Sequence, residues 1–423
     1  MQKKDSTNKA NINENQHAKA ETIKEIYAQG EDIKLPTKHL NWVAVFVLAT
    51  LCGLLAGFFG GYWQAKTEPA WLTNVNEQET EDIGTILDLA TSNDRLSRDF
   101  NILTIESLSG QTVAIYKLKS FDKTDDFGNF YSDENLVGQG LIITTDGWIV
   151  THGEVIDDFN EKYLVITSDR QGYNIEEFIY DKFADLVFIK IDQNNLKPIT
   201  MGSLSSIANN EDLAVIKNNL RYRQPSVNYV RLSNRDYLPV HQTSDYLRST
   251  EKLSSFILLS DQFPLIYKGA MLANGDSEII GLLYSNGENV IQYAIPIFYI
   301  KVAVTNFLAD LEKIPRNSLG LNYLDLAEVV GLSSDLHRGY SRGLLIYGND
   351  QLDIDAIMPK SAAAQAKLEQ GDIILAINDQ ELTAKDNFTK ILQGLALGTT
   401  ITLDTIKIDG TEEKIILTLD VNP

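Results

Sequence analysis

The distribution of apolar and polar positions changes several times along the chain, and each change predicts a different kind of structure. Residues 1–40 are polar, rich in Asn, Gln and Lys, with no sustained apolar period. Such a segment buries too little surface to fold alone. From Leu40 to Ala65, "LNWVAVFVLATLCGLLAGFFGGYWQA", there is no charged side chain. A membrane helix needs about 20 apolar residues, so a span is expected over 41–63. A cleaved leader has an apolar core of only about 7–15 residues, whereas this run is longer and ends in Tyr62 and Trp63, which suit a membrane interface. Over 64–106 the pattern turns polar and helical. In "IGTILDLATSNDRLSRDFNIL", Ile83, Ile86, Leu87 and Leu89 fall near one face, predicting a juxtamembrane stalk.

After Ser107 the period shortens. Runs rich in Val, Ile, Leu and Tyr recur between Gly, Asp and Asn: "TVAIYKLK", "GLIITTDGWIVTH", "KYLVITS", "DLVFIKI", "DLAVIK", "SFILLS", "EIIGLLYS" and "VIQYAIP". Many short strands with turns between them predict an all-β barrel or sandwich over about 107–300. "IPIFYIKVAVTNFLADLEK" then has helical spacing and closes that unit, giving a domain at 107–312. Residues 316–423 form a smaller mixed domain with their own strands, one helix near "SAAAQAKL" and another near "KDNFTKILQGL".

Charge narrows the partners. The chain carries a formal −21, and residues 1–40 contribute +1, leaving −22 for 41–423. So acidic a chain repels nucleic acid and anionic lipid heads. Lys24, Lys34 and Lys38 precede the apolar run and Lys66 alone follows it closely, which orients the N-terminus to the cytoplasm and the later domains outside. The single cysteine, Cys52, lies within the run, so the outer domains have no disulfide. Gly53, Gly57 and Gly61 share one face of the expected helix, a spacing that permits close helix pairing but is also common in lone membrane helices.

Five segments, in order, carry a resemblance to a known family. "GQGLIITTDGWIVTHGEVID" resembles a strand-turn-strand ending in Thr-Asn-x-His-Val, and "ADLVFIKID" resembles an Asp-Leu-Ala-Val-Leu-Lys segment. "NGDSEIIGLLYS" is similar to a hairpin reading Asn-Gly-Glu-Val-Ile-Gly. "IQYAIPIFYIKVAV" is similar to a closing Phe-Ala-Ile-Pro-x-x-x-x-Lys. "KSAAAQAKLEQGDIILAINDQEL" resembles a Ser-Pro-Ala-x-x-Ala-Gly-Leu-x-x-Gly-Asp-x-Ile stretch. Together, over roughly 105–420, they resemble the HtrA-type (DegP-like) trypsin-fold serine proteases with C-terminal PDZ domains. The resemblance implies a mainly β chain: a trypsin-like double β-barrel followed by an α+β PDZ domain, behind the N-terminal transmembrane helix.

It also implies a triad of Ser nucleophile, His base and Asp. Residue by residue, Glu154 falls at the base position and His152 two residues earlier, at the family's Asn. Asp185 keeps the Asp. Lys268 falls at the serine, in "IYKGA", and Ile266 at the first glycine, an oxyanion-hole donor in the family. The intervals, 31 and then 83 residues, are like the family's. Glu154 cannot relay a serine proton as a His does near neutral pH, and Lys268 cannot serve as this acyl nucleophile. The expectation is a pseudoprotease; the alternative is an active serine endopeptidase using a displaced constellation. Ser277, in "GDS", is expected at a hairpin tip. His152 is expected as an ordinary solvated or hydrogen-bonded loop histidine beside the old base position, and Lys268 to bridge Glu154 and Asp185, the alternative being that all three are solvated in an open groove.

In the family's PDZ domains a hydrophobic-Gly-hydrophobic loop captures a peptide's terminal carboxylate. "NSLGLNYLDL" fits it, making Ser318, Leu319, Gly320 and Leu321 the expected peptide-binding loop. Lys367 stands where the family has Gly. No metal-ligand spacing or phosphate loop occurs, so no cofactor is expected. The expected partners are unfolded or C-terminal peptide segments, the membrane through one helix, and copies of the chain (a trimer by resemblance), in protein quality control or scaffolding at the cell envelope.

Overall fold

Why the strand runs are so uniformly apolar becomes clear from where their two faces point. A computed structural model of the chain describes residues 102–422, apart from 122, 126–127, 209, 220–224, 286 and 288. The expected tail, membrane span, glycine face and nearly all of the stalk lie outside the described residues. A helix α1 (Ile102–Ser109) leads into six strands: β1 (Thr112–Lys117), β2 (Leu136–Ile142), β3 (Trp148–His152), β4 (Tyr163–Ile166), β5 (Gly172–Asp181) and β6 (Leu186–Ile191). They close into a barrel in the order β1-β2-β3-β6-β5-β4. Val113, Ile115, Ile149, Val187 and Ile189 fill its interior. The alternate positions Trp148, Val150, Leu186 and Phe188 point outward into a second apolar layer. Both faces are buried, so alternation gives way to continuous hydrophobic runs.

The next strands are β7 (Asp212–Lys217), β8 (Ser226–Tyr237), a two-residue β9 (Arg248–Ser249), β10 (Phe256–Pro264), β11 (Met271–Ala273), β12 (Ile279–Tyr284) and β13 (Val290–Pro296). All but β9 close a second barrel, β10-β13-β12-β11-β7-β8. Its outward residues Ala214, Ile216, Met271 and Leu282 meet those of the first barrel, and helix α2 (Ile297–Ala309) packs Ile300, Val304 and Phe307 into the same layer.

The C-terminal part is a sheet with short helices: β14 (Arg316–Ser318), β15 (Asn322–Asp325), α3 (Ser334–His337), β16 (Leu344–Ile346), α4 (Ala362–Gln365), β17 (Ile373–Ile377), β18 (Gln380–Glu381), α5 (Phe388–Gly394), β19 (Thr400–Ile406), β20 (Glu412–Thr418) and β21 (Asp420–Asn422). Its own core includes Leu319, Leu321, Ile374, Phe388 and Leu403. Lys367, just after α4, has φ 58. That left-handed geometry suits glycine, and any other residue bears a cost of about 1–3 kcal/mol there.

Two of the contacts that join this part to the barrels bear on the sites described below. Arg316 and Asp181 form a buried ion pair, their side chains 5% and 2% exposed. Arg316 also donates to the Tyr299 carbonyl and lies over the Phe183 ring. The second contact is unusual. β9 leaves the second barrel and becomes the outer strand of the C-terminal sheet, ordered β20-β19-β17-β16-β15-β9.

Candidate functional site

The cleft residues are placed by the ends of the barrel strands. His152 ends β3, in phase with Trp148 and Val150, so strand alternation turns it toward the layer between the barrels. Its side chain is fully buried, and its ring meets Tyr284 edge-on with centroids 4.6 Å apart. It is therefore a packed strand residue rather than the solvated loop histidine expected from the sequence. Its Nδ1 accepts from the Glu154 N–H at 3.2 Å, starting a short 3-10 turn over Gly153–Val155. Nε2 lies 3.1 Å from Asp185 Oδ2 without the alignment of a hydrogen bond.

Asp185 sits before β6 at φ 51. Its carbonyl accepts from the Gly153 N–H at 2.8 Å, and its carboxylate accepts from the Tyr180 hydroxyl at 2.9 Å. A Cβ on Gly153 would come within 1.9 Å of that carboxylate, so only glycine fits there. Burial alone would raise the Asp185 carboxyl, but the adjacent His152 imidazole and the Tyr180 hydroxyl hold it below its ordinary value. The Tyr180 phenol is pushed up to about 12 by burial and by its bond to Asp185, so it stays a neutral donor. Tyr284 is also raised to about 12, by burial and then by the charges of Asp185 and Glu154.

Lys268 does not bridge two carboxylates. Its Nζ pairs with Glu154 Oε2 at 3.1 Å, while Asp185 is engaged by His152 and Tyr180. His152 lies at the site rather than beside it and takes up Asp185. The strand period from Trp148 carried the signal.

Around Lys268 the backbone is tightly engaged. A 3-10 turn over Leu265–Tyr267 ends at Lys268, whose N–H donates to the Leu265 carbonyl at 3.0 Å. The Lys268 carbonyl accepts from the Gln139 N–H at 2.7 Å, and Gly269 follows at φ 70 with the Gln139 carbonyl 2.2 Å from where a Cβ would stand. Ile266 packs against the cluster of Ala114, Tyr116, Leu136 and Ile166. What remains open is a pocket of about 220 Å³ lined by Leu136, Val137, Glu154, Val155, Leu265 and Lys268. Ser277 is in the β11–β12 turn at φ 65, with its N–H on the Asn274 carbonyl.

In the C-terminal sheet, Ser318–Leu321 link β14 to β15. Gly320 has φ 75, and a Cβ there would lie 2.2 Å from Ser361 Cβ. Ser318, Leu319 and Leu321 are buried, and the loop's donors are filled by the chain itself. Leu319 N and Gly320 N donate to Glu251 Oε1 at 3.2 and 2.7 Å, and Ser318 Oγ donates to Glu251 Oε2 at 2.6 Å. Leu321 N donates to Thr250 Oγ1 at 3.1 Å, and Thr250 N returns a bond to the Leu321 carbonyl at 3.0 Å. β9 then pairs antiparallel with β15, Ser249 opposite Asn322 and Arg248 opposite Tyr323.

Comparison with known proteins agrees with this architecture. A PDZ-domain family model matches residues 354–406. Among curated proteins, a probable periplasmic serine endoprotease, DegP-like, of Marinomonas sp. (strain MWYL1) is 25% identical over 298 residues, covering 68% of this chain and 57% of the relative. Its counterpart in Pseudomonas fluorescens (strain Pf-5) is 25% identical over 311 residues, covering 70% and 58%. The chain thus spans under two thirds of these relatives' length. Among solved structures, the HtrA-type protease AlgW with a tripeptide aligns at a TM-score of 0.55 and 18% identity, over 76% of this chain and 96% of that one. AlgW with a decapeptide aligns at 0.54 and 18%, over 76% and 98%. At that identity the likeness speaks for the fold.

Proposed function

Because the chain is a homologue of the HtrA/DegP-like trypsin-fold serine proteases with a C-terminal PDZ domain, we propose that it uses that fold to bind polypeptide segments without cleaving them. One observation carries the reading. At the position matched to the family's nucleophile stands Lys268, its Nζ paired with Glu154 and its N–H committed to the Leu265 carbonyl. Acyl transfer needs a nucleophile, a base to take its proton, and free N–H donors for the oxyanion. Lys268 and Glu154 supply neither of the first two, and one N–H of the expected hole is occupied. A displaced constellation would have to use His152 with Asp185, but that imidazole is fully buried and its Nδ1 is taken by the Glu154 N–H.

The ligands on this reading are extended segments or C-termini of proteins, added as a strand beside β15 with a carboxylate in the Ser318–Leu321 loop. The apolar run at 41–63 and the lysines before it favour a single-pass anchor with the folded domains outside the cytoplasm. The periplasmic placement carried in the names of those relatives is compatible with it. A homo-oligomer belongs to the same reading.

Incubation of the purified chain with unfolded casein, beside Asp185→Ala and Ser277→Ala variants, tests the non-catalytic reading. No cleavage by any of the three is expected. Cleavage by the wild type that either substitution abolishes would mean that the enzyme reading stands.

A further inference from the structure

The expected binding loop is already full, and its occupant has the form of a ligand. The segment Arg248–Glu251 runs antiparallel to β15, as an added strand does, and then turns so that a carboxylate enters the loop. The donors that meet Glu251 are the N–H groups of Leu319 and Gly320 and the Ser318 hydroxyl, with Asn422 Nδ2 at 3.4 Å and the neighbouring Thr250 hydroxyl at 2.8 Å. Hydrogen bonds to an ionised carboxylate are roughly twice as strong as neutral ones. At the other end of the segment, the Arg248 guanidinium pairs with Glu328. After Glu251 the chain returns to the first barrel, where Leu253 N donates to the Phe183 carbonyl at 2.8 Å. Glu251 is therefore a side chain standing where a peptide's terminal carboxylate would stand, on a strand held at both ends.

We infer that the groove beside β15 is a working site for an extended strand ending in a carboxylate, and that its resident occupant is the chain's own Arg248–Glu251, which an outside peptide must displace. This deepens the peptide-binding reading above and rests on it. A tethered ligand competes at an effective concentration of about millimolar. A site open only part of the time loses apparent affinity by the fraction open. The closed state thus rejects weak or short peptides and admits those that bind strongly enough to replace the strand.

Glu251→Gln keeps the shape of the side chain but turns a charged acceptor into an amide with donors facing N–H groups. Two readouts on the full chain separate the claims. The first is backbone amide exchange at Thr250 and at Leu319–Leu321. The second is fluorescence anisotropy of a labelled peptide DYLRST, the sequence of residues 245–250, with a free C-terminal carboxylate and its amidated form as control. The expected result is faster exchange at those amides in Glu251→Gln, and probe binding at least about tenfold tighter than in the wild type, with the amidated form weak in both. Unchanged exchange in the variant overturns the self-occupied groove, whatever the peptide does. Faster exchange with no probe binding leaves the internal strand in place but sinks the groove as a peptide site. Equal, tight binding of the probe to both proteins overturns the gating.

Discussion

The cleft between the barrels and the groove beside β15 differ in which atoms would carry their chemistry: side chains in the first, backbone in the second. In the cleft, acyl-transfer chemistry would depend on particular side chains. Lys268 and Glu154 now pair with one another, and Asp185 has His152 and Tyr180 as partners. In the groove the donors are backbone N–H groups of Leu319, Gly320 and Leu321. That geometry needs one residue able to adopt φ 75, and Gly320 supplies it. A site made of backbone tolerates drift in its side chains, while a site made of side chains does not.

The sharpest way to break this comparison is at the joint that holds both regions together. Arg316 of β14 is buried against Asp181, at the base of the loop bearing Asp185. Removing one partner of a buried pair leaves a bare charge and costs about 3–5 kcal/mol. Arg316→Ala is expected to lower stability by that much in urea unfolding. Arg316→Met combined with Asp181→Leu should recover much of it, and a loss below about 1 kcal/mol in the single variant would mean the joint is not structural.

A smaller effect concerns Asp185 and acid stability. The folded Asp185 carboxyl lies below its ordinary value. Its contribution to stability is therefore complete above the unfolded value of about 4, and is lost as pH falls through the folded one. Thermal unfolding followed from pH 6 to pH 2 should show a steeper acid loss in the wild type than in Asp185→Asn. Equal slopes would remove Asp185 from the account of acid stability.

The smallest effect is expected at Lys268. Its pair with Glu154 is partly solvated, the side chains 19% and 34% exposed. Such pairs contribute about 0–1 kcal/mol. Lys268→Met should lower stability by no more than that. A clear gain in melting temperature would show that the pair does not hold the cleft together.

Much of this was legible in the sequence, and the exceptions have physical causes. The short apolar runs of "GWIVTH" and "DLVFIKI" are strands β3 and β6, because burial on both faces leaves the same continuous pattern in any packed barrel. Of the positions 154, 185 and 268, Glu154 and Lys268 pair directly, while Asp185 is held by His152 and Tyr180. His152 follows its phase with Trp148 and Val150 on β3, which overrides its place in the motif. The occupant of the groove was not legible. Arg248–Glu251 forms only two residues of strand, too short for a periodic signal, and its partner lies about 70 residues away. Its acidic side chain acts as a terminus, which no local pattern announces.

The central claim, a trypsin-like barrel without its nucleophile, is tested most directly by labelling the purified chain with a fluorophosphonate serine probe and reading the adduct by intact mass and peptide mapping. The account predicts no adduct under conditions that saturate an active serine protease. A stoichiometric adduct on a single serine, lost when Asp185 is replaced by alanine, would contradict it.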